Sequence, residues 1–204
     1  MDTEINKLSI IGYSGHSYVC IDVALENSIG IIGYYDTHKK KYNPYGLKYL
    51  GRDNGSISNS FICIGDNSKR QSIYNSLFPE INEETVNLIH PRSVISNKVN
   101  LETLILICAG AVVNPLADIG TGCIINTNAV IEHECKIGNF VHIAPSAVLA
   151  GNVTVGDRTL VGANSIVKEG VNIGNDVIIG AGAVILKDVL EGETVIGNPA
   201  KALN

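Results

Sequence analysis

No run of eighteen or more apolar residues occurs in the chain, and the longest, around Leu104 to Val113, is too short to read as a membrane-spanning helix. The opening Met1-Asp2-Thr3-Glu4 has none of the features of a signal peptide, so the expectation is a soluble cytoplasmic protein. CxxC pairs are missing too. The five cysteines, Cys20, Cys63, Cys108, Cys123 and Cys135, are odd in number and irregularly spaced, which predicts reduced, structural thiols rather than a disulfide framework. His90, His133 and His142 lack the tight spacing of a zinc-binding pair, and no cysteine cluster replaces it, so no metal is expected. Positive charge is also scarce. Fifteen Lys and Arg stand against twenty Asp and Glu, and the net charge of −5 disfavours nucleic acid or an anionic membrane surface as a general partner. Any anionic ligand has to be held locally.

What the chain has instead is a repeat. From Ile89 to Ile185 every sixth residue is Ile, Leu or Val, seventeen in one register. In a sequence that is 45% hydrophobic, chance yields such a run on the order of once in a million, so the pattern specifies an architecture. Four residues after each aliphatic position comes a small or β-branched residue, such as Cys123, Ala129, Cys135 and Val141, and the residue directly after it is often glycine, as at Gly120, Gly138, Gly156, Gly162, Gly174 and Gly180. A period of six suits neither a helix nor an alternating strand. It suits a three-sided parallel β-coil, in which each hexapeptide forms one flat face, the aliphatic residue points inward, and glycine or a small polar residue turns the corner. Stacked at ~4.8 Å, about five such coils form a column on the order of 25 Å long, each burying its aliphatic row only against its neighbours.

The amino half has a different texture, which predicts two domains, 1–85 and 86–204. Lys7 to Ile11 reads as a strand, Gly12-Tyr13-Ser14-Gly15-His16-Ser17 as a turn into a helix ending near Asn27, and Ile29 to Tyr35 as a second strand ending at Asp36. Such a βαβ unit offers its helix amino terminus to a phosphate, although only two of the three glycines of a dinucleotide fingerprint are present. Residues 37–59 read as loop around at most one short element, Ser60 to Ile64 as a third strand, Gly65-Asp66-Asn67 as a second glycine turn, Ser68 to Phe78 as a helix, and Val86 to Ile89 as a strand feeding the repeat. This small α/β unit has room for one nucleotide and not two.

The order of these parts, with the closing Val195-Ile196-Gly197-Asn198-Pro199-Ala200-Lys201, resembles the hexapeptide-repeat sugar-nucleotide acyltransferases over essentially the whole chain. It is most similar to the branch that N-acetylates UDP-4-amino-4,6-dideoxy sugars for bacterial surface glycans, and the sialic acid O-acetyltransferases share the layout. The resemblance implies a half-Rossmann-like α/β domain followed by a left-handed parallel β-helix, the left hand coming from the resemblance because parallel crossovers are normally right-handed. It further implies acetyl-CoA as co-substrate, a homotrimer with the donor in the groove between subunits, and a nucleotide-linked amino sugar held near Ser14, Gly15, His16, Asp36, Thr37 and Gly65. Thr37 stands where relatives often carry a second acidic residue, and the repeat has no inserted loop to cover the donor.

One segment of the repeat is chemically distinct, Asn126 to Cys135 with Glu132-His133-Glu134 inside it, followed by Val141-His142-Ile143. Moving an acetyl group from a thioester to an amine needs a base for the amine proton, and imidazole suits neutral pH. A carboxylate bonded to the second ring nitrogen fixes the tautomer and stabilises the imidazolium. By resemblance His133 is the general base and Glu134 its support, while His142, Ala163 and Ala181 contact acetyl-CoA. Neighbours on a regular strand point to opposite faces, so a His133–Glu134 contact requires a bend. Two other readings stay open: O-acetylation of a sugar such as sialic acid, and a non-catalytic trimeric assembly or ligand-sensing module.

Overall fold

A computed structural model describes residues 7–52, 59–77 and 85–203. The amino domain contains β1 (Lys7–Ile11), α1 (Gly15–Glu26), β2 (Gly30–Tyr35), β3 (Tyr49–Gly51), β4 (Ser60–Ile62) and α2 (Asn67–Leu77). Its sheet has the order β3-β2-β1-β4 with every pair parallel. The one short element expected between 37 and 59 is β3, whereas residues 53–58, Phe78 and the acidic run at 80–84 lie outside the described residues. None of the described helices is long and apolar enough to cross a membrane.

From Leu88 to Ile185 the chain forms two-residue strands in three parallel sheets, and Thr194–Ile196 and Lys201–Ala202 close the first of them as an antiparallel pair. The first face contains Leu106–Ile107, Ile124–Ile125 and His142–Ile143, the second Val112–Val113, Val130–Ile131 and Val148–Leu149, and the third Asp118–Ile119, Lys136–Ile137 and Thr154–Val155. Up to Ile185 each strand residue pairs with the one eighteen positions on, so Ile107, Ile125, Ile143, Val161 and Ile179 form a single column. The aliphatic columns fill the prism together with Ala111, Cys123, Ala129, Cys135 and Val141 from the small slots. All five cysteines are unpaired and buried.

Glycine or a small polar residue turns the corner in most coils, as expected. The left-handed backbone occurs three positions after the aliphatic residue, at Asn128 (φ 56), Glu134 (φ 60), Phe140 (φ 55) and Asn152 (φ 56) among others. Such residues are strained by about 1–2 kcal/mol each, and every coil offsets this by bonding the corner N–H to the coil before it, as Glu134 does to Pro115 at 3.1 Å. The glycine directly after the aliphatic residue serves close approach instead. A Cβ at Gly156 would lie 2.5 Å from the Asn175 nitrogen, and one at Gly162 2.4 Å from the Ile179 oxygen.

The amino domain sits on the first face, where the outward residues Leu88, Leu106 and Ile124 join its core with Leu8, Ile10 and Phe61. Arg70 of α2 fastens the joint. Only 2% exposed, it donates from Nε to the Gly122 carbonyl (2.7 Å), from Nη1 to those of Ile64 (3.0 Å) and Gly65 (3.2 Å), and from Nη2 to that of Phe140 (2.8 Å) and to Asn67 Oδ1 (2.8 Å). Burial lowers its pKa to about 10, so it remains charged at neutral pH. Replacing it leaves several buried acceptors unpaired, and each of these is costly. Arg70→Ala is expected to lower stability by about 3 kcal/mol or more, read as a lower urea midpoint.

Candidate active site

Residues of the first group expected at a site gather at the carboxyl ends of β1, β2 and β4, where open parallel sheets bind ligands. Ser14 and Gly15 are exposed at the start of α1, and Ser14 is its N-cap. His16 stands beside Gly65, where an added Cβ would lie 3.7 Å from the imidazole, and its Nε2 is buried with no hydrogen-bond partner among the described residues. Asp36 follows β2. Its Oδ2 accepts from the Tyr13 N–H (3.0 Å) and pairs with Lys40 (2.9 Å), and its Oδ1 accepts from the Thr37 hydroxyl (3.1 Å). Burial pushes the carboxyl up, but Lys40 and the Tyr13 N–H outweigh it and the pKa is lowered.

His142 belongs to this group in space. It is an outward residue of the first face, its ring centroid is 6.2 Å from that of His16, and its Nε2 faces the Asn126 Nδ2 at 3.0 Å. The Asn126 amide donates, so Nε2 is already occupied as an acceptor. Burial, reinforced by the charges of Arg70 and His16, lowers His142 to about 4.

His133 and Glu134 lie elsewhere, on the corner between the second and third faces. The left-handed turn at Glu134 supplies the required bend, and Nδ1 of His133 lies 3.0 Å from Glu134 Oε2. Both side chains are more than half exposed. They open on a shallow cleft of about 390 Å³ lined by His133, Gly151, Asn152, Glu169 and Gly170. Ala163 and Ala181 fall on a third edge, after the first-face strands Leu160–Val161 and Ile178–Ile179. One chain therefore brings His16, Gly65 and His142 together, and His133 with Glu134, but does not join the two sets. Among the described residues no three His, Cys, Asp or Glu side chains form a potential metal site.

Residues 7–77 match the PglD N-terminal domain and residues 107–203 the GMPPB C-terminal domain. No curated protein matches the chain. Among solved structures, it is similar to the acetyltransferase domain of PglB from Neisseria gonorrhoeae, at 31% identity over 97% of this chain and 100% of that one, with a TM-score of 0.90. It is likewise similar to a mutant of perosamine N-acetyltransferase from Caulobacter crescentus in complex with CoA and GDP-perosamine, at 32% identity over 98% of each chain and a TM-score of 0.89. The chain belongs to the hexapeptide-repeat sugar acetyltransferases. WeeI from Acinetobacter baumannii, at 22% identity over 97% of this chain and 100% of that one, with a TM-score of 0.83, shares the fold.

In this acetyltransferase the cleft residues Gly151, Asn152, Glu169 and Gly170 went unread in the sequence. The signal was available, because stepping eighteen residues from His133 lands on Gly151 and eighteen more on Glu169. The pairing of His142 with His16 had no such signal. It carries a pH consequence. The folded value of about 4 lies below the ordinary 6.5, so the unfolded chain takes up this proton first as pH falls. Stability from His142 is therefore complete above about pH 6.5 and lost progressively towards about pH 4, by about 3 kcal/mol in all. Urea unfolding of the acetyltransferase at about pH 7.5 and about pH 4.5 is expected to show this loss, and His142→Gln, which does not titrate, to flatten it.

Proposed function

We propose that this enzyme transfers the acetyl group of acetyl-CoA to the 4-amino group of a nucleotide-linked 4-amino-4,6-dideoxy sugar, with UDP as the expected carrier, in bacterial surface glycan synthesis. The observation that carries the reading is the His133–Glu134 pair on an open corner, with Nδ1 3.0 Å from the carboxylate. A carboxylate only accepts, so Nδ1 keeps its proton and Nε2 offers its lone pair to the cleft. The amine nitrogen attacks the thioester carbonyl carbon, and Nε2 takes the proton that the nitrogen loses. The tetrahedral oxyanion collapses, the C–S bond breaks, and the proton passes to the departing thiolate, giving the acetamido sugar and CoA. No acetyl-enzyme is needed. The sugar nucleotide is assigned to Ser14, Gly15, His16, Asp36, Thr37 and Gly65, and acetyl-CoA to the edges bearing His133, Ala163 and Ala181, with His142 between the two ligands.

These sets lie on different edges of one prism, so the reading calls for a homotrimer. The outward positions of the second face support it. Val94, Val112, Val130, Val148, Ile166 and Val184 form one aliphatic column, whereas the third face presents Asn100, Asp118, Lys136, Thr154 and Asn172. With the aliphatic column turned towards a threefold axis, the His133 edge of one chain meets the Ala163 and Ala181 edge of the next, and the donor lies in the seam.

His133→Ala is expected to lower turnover at least ~100-fold while leaving sugar-nucleotide binding near normal, measured by steady-state kinetics and calorimetry. Near-normal turnover removes His133 from the mechanism. A panel of UDP-, dTDP- and GDP-linked amino sugars, run beside sialic acid, decides carrier and acceptor. Val148→Asp places a charge in the aliphatic column. It is expected to yield monomers in sedimentation equilibrium and to abolish turnover with the trimer.

A further inference from the structure

Residues two positions after the aliphatic member of the second face stack eighteen apart along one edge: Asn97, Pro115, His133, Gly151, Glu169 and Lys187. Only one of them is glycine, and the backbone does not ask for it. The left-handed residue of that turn is the next one, Asn152 (φ 56), whereas Gly110, Gly122, Gly170 and Gly182 do occupy left-handed corners. Gly151 does not.

What Gly151 does is leave space. A Cβ there would lie 2.5 Å from Cε1, 2.7 Å from Nε2 and 3.2 Å from Nδ1 of His133. The Nδ1–Cε1–Nε2 edge of the imidazole thus rests on the place where a side chain would begin, one coil along from its own backbone. The atoms in conflict belong to the end of a flexible, half-exposed side chain. Adding a methyl group would therefore displace the ring rather than the fold, and with the ring goes its contact with Glu134.

We propose that Gly151 is a positioning residue for the base: its missing side chain is the slot in which the His133 imidazole lies, and the slot holds Nδ1 against Glu134 while Nε2 faces the cleft. The proposal rests on His133 acting as the base. The slot constrains the ring and not the sugar-nucleotide crevice on the far side of the prism, so it acts on kcat and leaves the acceptor KM alone.

The test uses the full-length enzyme with Gly151→Ala, His133→Ala and the double variant. Gly151→Ala is expected to lower kcat by at least ~10-fold with little change in acceptor KM, to move the midpoint of the kcat–pH profile, and to shift the thermal midpoint by less than about 3 °C. In the His133→Ala background the same change is expected to have no further effect. Nitrogen-15 histidine spectra give a readout independent of turnover, with the Nδ1–H signature of His133 lost in Gly151→Ala. Wild-type kcat in Gly151→Ala, an unchanged Nδ1–H signal, or an additive loss in the double variant overturns the slot. So does a Gly151→Ala chain that fails to fold, because the ring and not the backbone is expected to give way. If His133→Ala itself turns over normally, it is the base assignment that falls, whereas an inactive His133→Ala beside a normal Gly151→Ala removes the slot alone.

Discussion

Stacking at a fixed step of eighteen residues is the constraint on which the rest of the molecule depends. Side chains in the repeat lie over their equivalents one coil away, so each position becomes a column. Inward columns must be aliphatic or small because they meet only one another. Outward columns are free to differ, and they do: the second face is aliphatic, the third is polar, and the first is covered at its beginning by the amino domain. The polar ladder on one corner follows the same rule. Asn175 accepts from the Asp157 N–H at 2.8 Å, and Asp157 from the Asn139 N–H at 2.7 Å, so backbone groups left over by the turn are paired from the next coil.

This rigid column would be only a post without the joint to the α/β domain. The joint combines an apolar part, the outward Leu88, Leu106 and Ile124, with a directional one, the buried guanidinium of Arg70. Burying a charge is expensive unless its hydrogen bonds are complete. Because the five acceptors of Arg70 come from both domains, that requirement fixes the angle between them. Asn67 adds to the lock by donating to the Arg158 and Thr159 carbonyls one coil further on. The geometry of His16 against His142 follows from this joint and not from either domain alone.

The sequence made the repeat legible at once, because a single column rule governs about half the chain. It also revealed His133 with Glu134 and the need for a bend there. It did not tell which position bends: the structure uses the glycine after the aliphatic residue for contact between backbones and places Asn, Glu, Phe or Gly, among others, in the left-handed position two residues further on. Arg70 was invisible for a statistical reason. It sits in a polar helix, and arginine is almost never fully buried unless it is paired. The approach of His142 to His16 was invisible for a topological one, because it depends on docking between segments far apart in the chain.

His133 and His142, the first of them the base in the proposed mechanism, show how different the environments of identical side chains can be. His142 is partly buried, its Nε2 is occupied by an amide donor, and its pKa of about 4 keeps it neutral. An imidazole in that state positions a neighbour but has no free lone pair for an incoming proton. His133 is exposed, has a carboxylate on Nδ1, and rests on a coil whose only concession is a missing side chain. There a carboxylate holds one ring nitrogen and leaves the other, the proton acceptor under the proposed mechanism, open to the cleft. Sequence spacing alone treats these histidines as near neighbours, nine residues apart, but the prism puts half a turn between them. That separation gives one chain a neutral histidine against the amino domain and an exposed histidine, paired with a carboxylate, on the opposite corner.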